Sequence, residues 1–229
     1  MKTSRLIKLI FVAFVLGIST ISYSQDETTL NDGEARHKGH TFVDLGLSVK
    51  WATCNVGASS PENYGDYYAW GETETKSTYN WSTYKLCNGN SSTLTKYCTD
   101  NDYGTVDNKK VLESSDDIAH VKWGGNWRLP TDTELTELRE KCTWTWTTQN
   151  GTMGYKVTSK SNGNCIFLPA SGWRYDSSLL YVETDGGYWS SSLYGSSSDD
   201  AWSVYFNSSG VYWSYTHRFD GLSVRPVCP

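Results

Sequence analysis

The residues best suited to chemistry stand near the C-terminus, in YFNSSGVYWSYTHRFDGLSVRPV, Tyr205 to Val227. Tyrosine, tryptophan, histidine, aspartate and small hydroxyl side chains crowd together there. Such a set can serve hydrolysis, metal binding or recognition. Hydrolysis needs a nucleophile, a base and a group that orients the base. Serine is plentiful, but no G-x-S-x-G elbow occurs, and His37, His40, His120 and His217 are scattered along the chain. Asp199, Asp200 and Asp220 carry the hard oxygen atoms a calcium-like cation prefers, yet solvated loop tips account for them equally well. The six cysteines show no C-x-x-C spacing of the zinc type. No catalytic residue, metal ligand or cofactor is therefore assigned.

Recognition fits the pattern better. From Tyr194 to Gly221 the skeleton positions Ala201, Val204, Phe206, Gly210 and Val211 alternate with Tyr, Ser, Asn, Asp, Thr and His. Period two sends such sets to opposite faces of a strand. One face is then core. The other presents Tyr194, Ser203, Tyr205, Asn207, Tyr212, Ser214 and Thr216, and Tyr215, His217 and Asp220 join them as candidate ligand-binding residues. Slipping the register by one residue would exchange the sets. Tyrosine beside Ser, Asn and Gly is the composition of antibody paratopes: a large contact area at low entropy cost, with small polar groups that adapt their hydrogen bonds. An ordinary solvated sheet face is the competing reading.

Several elements must position this tail. Residues 1–24 have a basic start (Lys2, Arg5, Lys8), an apolar run from Leu9 to Ile18, and Ser22 and Ser24 before a cut at Gln25. That is the layout of a cleaved secretory signal peptide; the apolar run is shorter than the about 20 residues a membrane span needs. The expected location is outside the cytoplasm: periplasm, cell surface or medium. Residues 25–39 are polar and read as a flexible arm; residues 40–229 read as one domain. Two short strands are expected in HTFVDLGLSVKWATCNVG, with a turn at Gly46. Residues 55–109 show little periodicity, and a loop so long needs anchors; Tyr64, Tyr67, Tyr68, Trp70, Tyr79, Trp81 and Tyr84 are suited to that. Two helices follow. One begins at a Ser115 cap and stops at Gly124; the other begins at Thr131, whose capping box is closed by Glu134, with Leu135 and Leu138 facing the core. After Cys142 come short β-branched and aromatic strands. The order implies an α+β fold, with two helices packed on short antiparallel sheets and long aromatic-anchored loops.

The segments VDLGLSVKWATCNVGASSPENYGDYYAWGET, WGGNWRLPTDTELTEL, NGNCIFLPASGWR, GGYWSSSLY and GLSVRPVCP together resemble the Fibrobacter succinogenes major paralogous domain, an exported family of Bacteroidetes. The likeness spans about residues 40–229. The later part also resembles the wider C-type-lectin-like group, which includes sulfatase-modifying enzymes and the target proteins of diversity-generating retroelements. The resemblance implies a C-type-lectin-like fold, with Trp123, Trp127, Arg128, Trp189 and Arg225 as structural residues. In the retroelement targets, the region matching this tail carries the variable ligand-binding residues. Calcium-dependent sugar binding does not follow from the likeness: PEN at 61–63 has the wrong order for the lectin motif, and Trp-Asn-Asp is absent. The reactive cysteine pair of the enzymatic branch has no counterpart either, since Cys142 and Cys165 lie outside the matching motifs. One fold hosts many functions.

The whole chain carries a net charge of −5, and loss of the three leader cations leaves −8. An acidic exported chain without a basic cluster argues against nucleic acid and anionic membranes as partners. Export permits disulfides, and Cys87 with Cys98 is the preferred local pair. The resulting expectation is an exported, non-enzymatic module that binds a glycan or protein ligand through its Tyr/Ser-rich tail. A fimbrial or envelope assembly subunit is the alternative, and a divergent sulfatase-modifying enzyme a more distant one.

Overall fold

The computed structural model describes residues 27–29 and 35–229. The signal-peptide expectation for residues 1–24 lies outside them. The architecture is α+β, with two helices and many antiparallel strands in small sheets.

Strands β1 (Glu27–Thr29), β2 (Ala35–His37), β3 (His40–Val43), β4 (Lys50–Ala52) and, from the far end of the chain, β13 (Val227–Cys228) form one antiparallel sheet in the order β1-β2-β3-β4-β13. The polar stretch expected as a free arm thus contributes two of these strands. Contacts distant in sequence hold it: the Trp127 indole donates to the His37 carbonyl at 2.9 Å, and Asn126 N donates to His37 Nε2 at 3.2 Å. Backbone pairing with β3 does the rest.

Between β4 and the first helix the chain has almost no regular structure beyond a 3₁₀ turn at Trp81–Thr83. The aromatic anchors hold it. Tyr67, Tyr68, Trp70, Tyr79 and Tyr84 are buried, whereas Tyr64 and Trp81 are half-buried. The Tyr67 hydroxyl donates to Ser171 O, Tyr79 to Tyr67 O and Tyr84 to Trp70 O, and the Trp70 indole donates to Ser190 O. Each ring adds on the order of 2–3 kcal/mol of apolar burial, while its polar tip satisfies a backbone carbonyl that the loop could not otherwise pair. The Arg218 guanidinium lies fully buried at the centre of this loop. It donates to Tyr84 Oη, Tyr97 O, Ser198 O and Lys96 O.

Helix α1 (Ile118–Trp123) is capped by Asp117 rather than by Ser115. Asp117 Oδ1 accepts from Ala119 N and His120 N, and its Oδ2 accepts from Leu129 N at 2.8 Å. A cap two residues later serves both the helix and Leu129, while the Ser115 hydroxyl donates to Asp116 Oδ1. Helix α2 (Asp132–Lys141) has the expected Thr131–Glu134 capping box and buries Leu135 and Leu138. Glu134 also forms a two-pronged bond with Arg128, at 2.7 and 2.6 Å.

The remaining strands are β5 (Cys142–Gln149), β6 (Thr152–Ser159) and β7 (Cys165–Pro169) in one meander, β8 (Trp173–Tyr175) with β9 (Ser178–Leu180) in a hairpin, and β10 (Asp185–Leu193), β11 (Asp200–Asn207) and β12 (Gly210–His217) in a second meander. One core cluster joins α2, the β5–β7 sheet and the inner face of β10–β11 through Leu138, Val157, Ile166, Tyr188, Val204 and Phe206. A second joins Trp70, Leu129, Trp189, Leu222 and Val224.

Of the residues expected to be structural, Trp127 and Trp189 are buried, and the Trp189 indole donates to Tyr68 O. Arg225 is buried and donates to Asn55 Oδ1 and to the carbonyls of Ala52, Thr53 and Phe167, which ties β4 to β7. Trp123 is only half-buried: it stacks on His40 with ring centroids 3.8 Å apart. Gly124 and Gly125 take positive φ, but Gly186 is required for a different reason. A Cβ there would meet the Phe206 ring at 2.2 Å. No bridge joins Cys87 to Cys98 in this structure. Cys87 Sγ instead donates to the carbonyls of Trp81 and Tyr84, and Cys98 Sγ to that of Asp100, so the two sulfurs are engaged by different turns.

Candidate functional site

The β10–β12 meander decides which tail residues meet. Its register pairs Ser203 with Ser214, Tyr205 with Tyr212, and Ala201 with Thr216, while Gly187 lies opposite Tyr205. Directly paired residues share a face. Ser203, Tyr205, Asn207, Tyr212, Ser214 and Thr216 therefore project to one side as expected, but Ala201 and Gly210, expected with the core set, fall on that side too. Val204 and Phe206 project to the other side, into the core. The segment Leu222–Val224 covers part of the outer face, where Ser223 N donates to Gly187 O. The uncovered part is a groove.

This groove encloses about 450 Å³. Ser203, Tyr205, Ser214, Thr216, His217 and Asp220 line it, together with Trp173, Gly187, Asp200 and Leu222. The volume lies within the usual range of small-ligand clefts. Tyr215 borders it, but the pairing with Trp202 puts the Tyr215 ring on the opposite face. There it stacks on Tyr194 at 4.3 Å, beside Trp202. Tyr215 therefore lines the groove only at its edge while its ring joins an aromatic cluster with Tyr194, which stands outside the groove. Tyr212 and Asn207 share the groove's face but lie toward its outer end, where Tyr212 is 45% exposed.

The walls are built by specific bonds. The Tyr205 hydroxyl donates to Asp185 Oδ1 and accepts from Asn207 Nδ2. Burial first, and then donation to Asp185, raises the Tyr205 pKa. Trp173 meets Tyr205 edge-on at 6.2 Å and packs on Tyr181 at 4.7 Å. It arrives from the β8–β9 hairpin, whose position depends on Gly172: φ is +62°, and a Cβ there would lie 1.9 Å from Leu180 O. Ser203 and Thr216 share a hydrogen bond across the strands at 3.2 Å.

Asp200 and His217 pair at the end of the ladder, on the Tyr215 side of the sheet, and with Asp220 they close one end of the groove. His217 Nδ1 is 2.9 Å from Asp200 Oδ1. The bond to Asp200 raises the His217 pKa against the opposing effect of burial. Asp220 is 7% exposed, and its Oδ1 has no hydrogen-bond partner. Burial pushes its carboxyl up to about 7; His217 opposes the shift, while Asp200 and Asp176 add to it. The Asp200–His217 pair matches the orienter and base of a hydrolytic triad, but among the described residues no hydroxyl donates to His217. Ser203 bonds Thr216, and Ser214 donates to Tyr215 O. Of the three aspartates suited to a hard cation, Asp199 accepts from Ser197 and Asp200 bonds His217. Among the described residues, no group of three or more His, Cys, Asp or Glu side chains is placed to hold a metal.

Trp173, Gly187, Asp200 and Leu222 were not among the candidate binding residues. Trp173 and Leu222 belong to segments read as packing skeleton, and Gly187 has no side chain to attract notice. Asp200 entered only as a possible cation ligand. The one available signal was the Asp176–Ser177 turn between two short apolar runs, which marks the hairpin carrying Trp173.

A family model described as a domain of unknown function, DUF8237, matches residues 145–227, a span that includes β10–β12 and the β8–β9 hairpin. No curated protein and no solved structure matches the chain.

Proposed function

We propose that this chain is an exported, non-enzymatic recognition module of C-type-lectin-like fold that binds a glycan or protein ligand in the β10–β12 groove. The observation that carries this reading is the convergence of Ser203, Tyr205, Ser214, Thr216, His217 and Asp220 on a single cavity walled by Trp173. Aromatic faces with a few convergent polar groups are the usual make-up of a binding cleft. The lectin-like assignment rests on the order of the resembling motifs. It is supported by the packing of their residues: Trp127, Leu129, Trp189, Val224 and Val227 are all buried. Export rests on the leader pattern. Among the described residues, no helix is long and apolar enough to cross a membrane.

The test is a glycan array run beside a pull-down from host and bacterial surface extracts, with residues 25–229 as the probe, with and without calcium. Saturable capture of one ligand class is the expected result. Failure of both formats would overturn the reading and favour the assembly role.

A further inference from the structure

The groove's charge narrows its ligand. Asp220 is buried with one carboxylate oxygen unpartnered, and Asp200 lines the same cavity. The nearby cations are turned elsewhere. Arg218 spends its donors on Tyr84, Tyr97, Ser198 and Lys96, and the Arg174 guanidinium lies 5.5 Å from the centre of the Tyr67 ring. A buried carboxylate without a partner is costly, so the site favours whatever supplies positive charge. Two aromatic walls, Trp173 and Tyr205, stand beside it, and ring faces attract cations. The polar groups on the walls are rich in lone pairs: the carboxylates of Asp200 and Asp220, and the hydroxyls of Ser203, Ser214 and Thr216. An ammonium group offers three donors and no acceptor. It complements such walls where an anion cannot.

We propose that the groove is a site for a primary ammonium group, carried on a sugar ring or an aliphatic chain. This rests on the groove being the recognition site and names the chemistry it selects. Binding strengthens as pH rises from about 5.5 to 7, a range in which both amines keep their charge and the groups facing the ligand change in the same sense. Asp220 loses its proton from β12's following turn, and His217 at the end of β12 loses its positive charge. Asp200 on β11, Asp185 on β10 and Asp176 in the β8–β9 turn contribute only negative charge.

The experiment is calorimetric titration of residues 25–229 with two amines and their neutral counterparts: glucosamine against N-acetylglucosamine, and Nα-acetyl-lysine amide against its Nε-acetylated form. The sugar and chain arms tell the two sources apart. At least one amine should bind about tenfold or more tightly than its acetylated partner, the ratio given by about 1.4 kcal/mol. Asp220→Asn should abolish that preference while keeping a single cooperative thermal transition. Equal or tighter binding of the acetylated forms overturns the ammonium assignment and leaves the groove's recognition role standing. So does the absence of binding by either amine at about 10 mM to wild-type protein that captures a ligand on the array. If Asp220→Asn fails to fold, the amine-to-acetyl ratio of the wild type decides alone.

Discussion

Asp200 and His217 are paired across the β11–β12 ladder, with His217 Nδ1 2.9 Å from Asp200 Oδ1. The carboxylate favours the charged imidazole and raises the His217 pKa above 6.5. The stabilisation from this pair is complete below the unfolded value and is lost as pH rises through the folded one. The ring is half-exposed, so the effect on stability is small, and the titration itself is the better readout. Imidazole NMR should show His217 titrating above 6.5, and Asp200→Asn should bring it back toward that value. A wild-type midpoint at or below 6.5 contradicts the geometry.

Asp220 works in the opposite sense. Its folded carboxyl is pushed up to about 7 from 3.8, so the folded protein holds a proton that the unfolded chain has lost. Stability therefore falls as pH rises between those values. Asp220→Asn removes the penalty. The variant should gain on the wild type by on the order of 2–3 kcal/mol between pH 5 and pH 8, measured by urea midpoints at both pH values. Equal shifts in the two proteins would show that Asp220 ionises without cost.

The two helix caps differ in what else they hold. Thr131 caps α2 alone, so Thr131→Ala should cost about 1 kcal/mol. Asp117 caps α1 and also accepts from the buried Leu129 N–H. Asp117→Ala therefore loses a cap and leaves a buried donor unpaired, at roughly 2–4 kcal/mol in total. Denaturation of both variants gives the order; a smaller loss at Asp117 would refute the shared role.

Much of the site was legible because strands alternate. Ser203, Tyr205, Ser214 and Thr216 share a face for the reason period two gives. Tyr215 lies between Ser214 and Thr216, so the same alternation turns its ring to the other face, where pairing with Trp202 holds it; Tyr194 follows the end of β10, beyond the reach of the alternation. A single strand does not reveal which residue it will oppose. The Thr131 capping box was readable because every partner lies within four residues. Asp117 was not, because its third bond reaches across to Leu129. Trp173 and Arg218 were hidden for the same reason. Their partners are distant in sequence, and a buried arginine satisfied by four carbonyl and hydroxyl oxygens leaves no local mark. The pairing of β1 with β2 was missed because backbone pairing and one indole bond, not apolar content, place these strands.

The most direct test of the groove's role sets two variants against each other on a captured ligand. Ser214→Tyr puts a ring into the groove from its half-buried wall, whereas Tyr215→Ala trims the aromatic cluster on the opposite face. Titration calorimetry should show Ser214→Tyr weakening binding by about tenfold or more, equivalent to at least about 1.4 kcal/mol, with Tyr215→Ala close to wild type. Unchanged affinity in Ser214→Tyr, or a loss confined to Tyr215→Ala, would contradict the account and move recognition to the Tyr194–Tyr215 face.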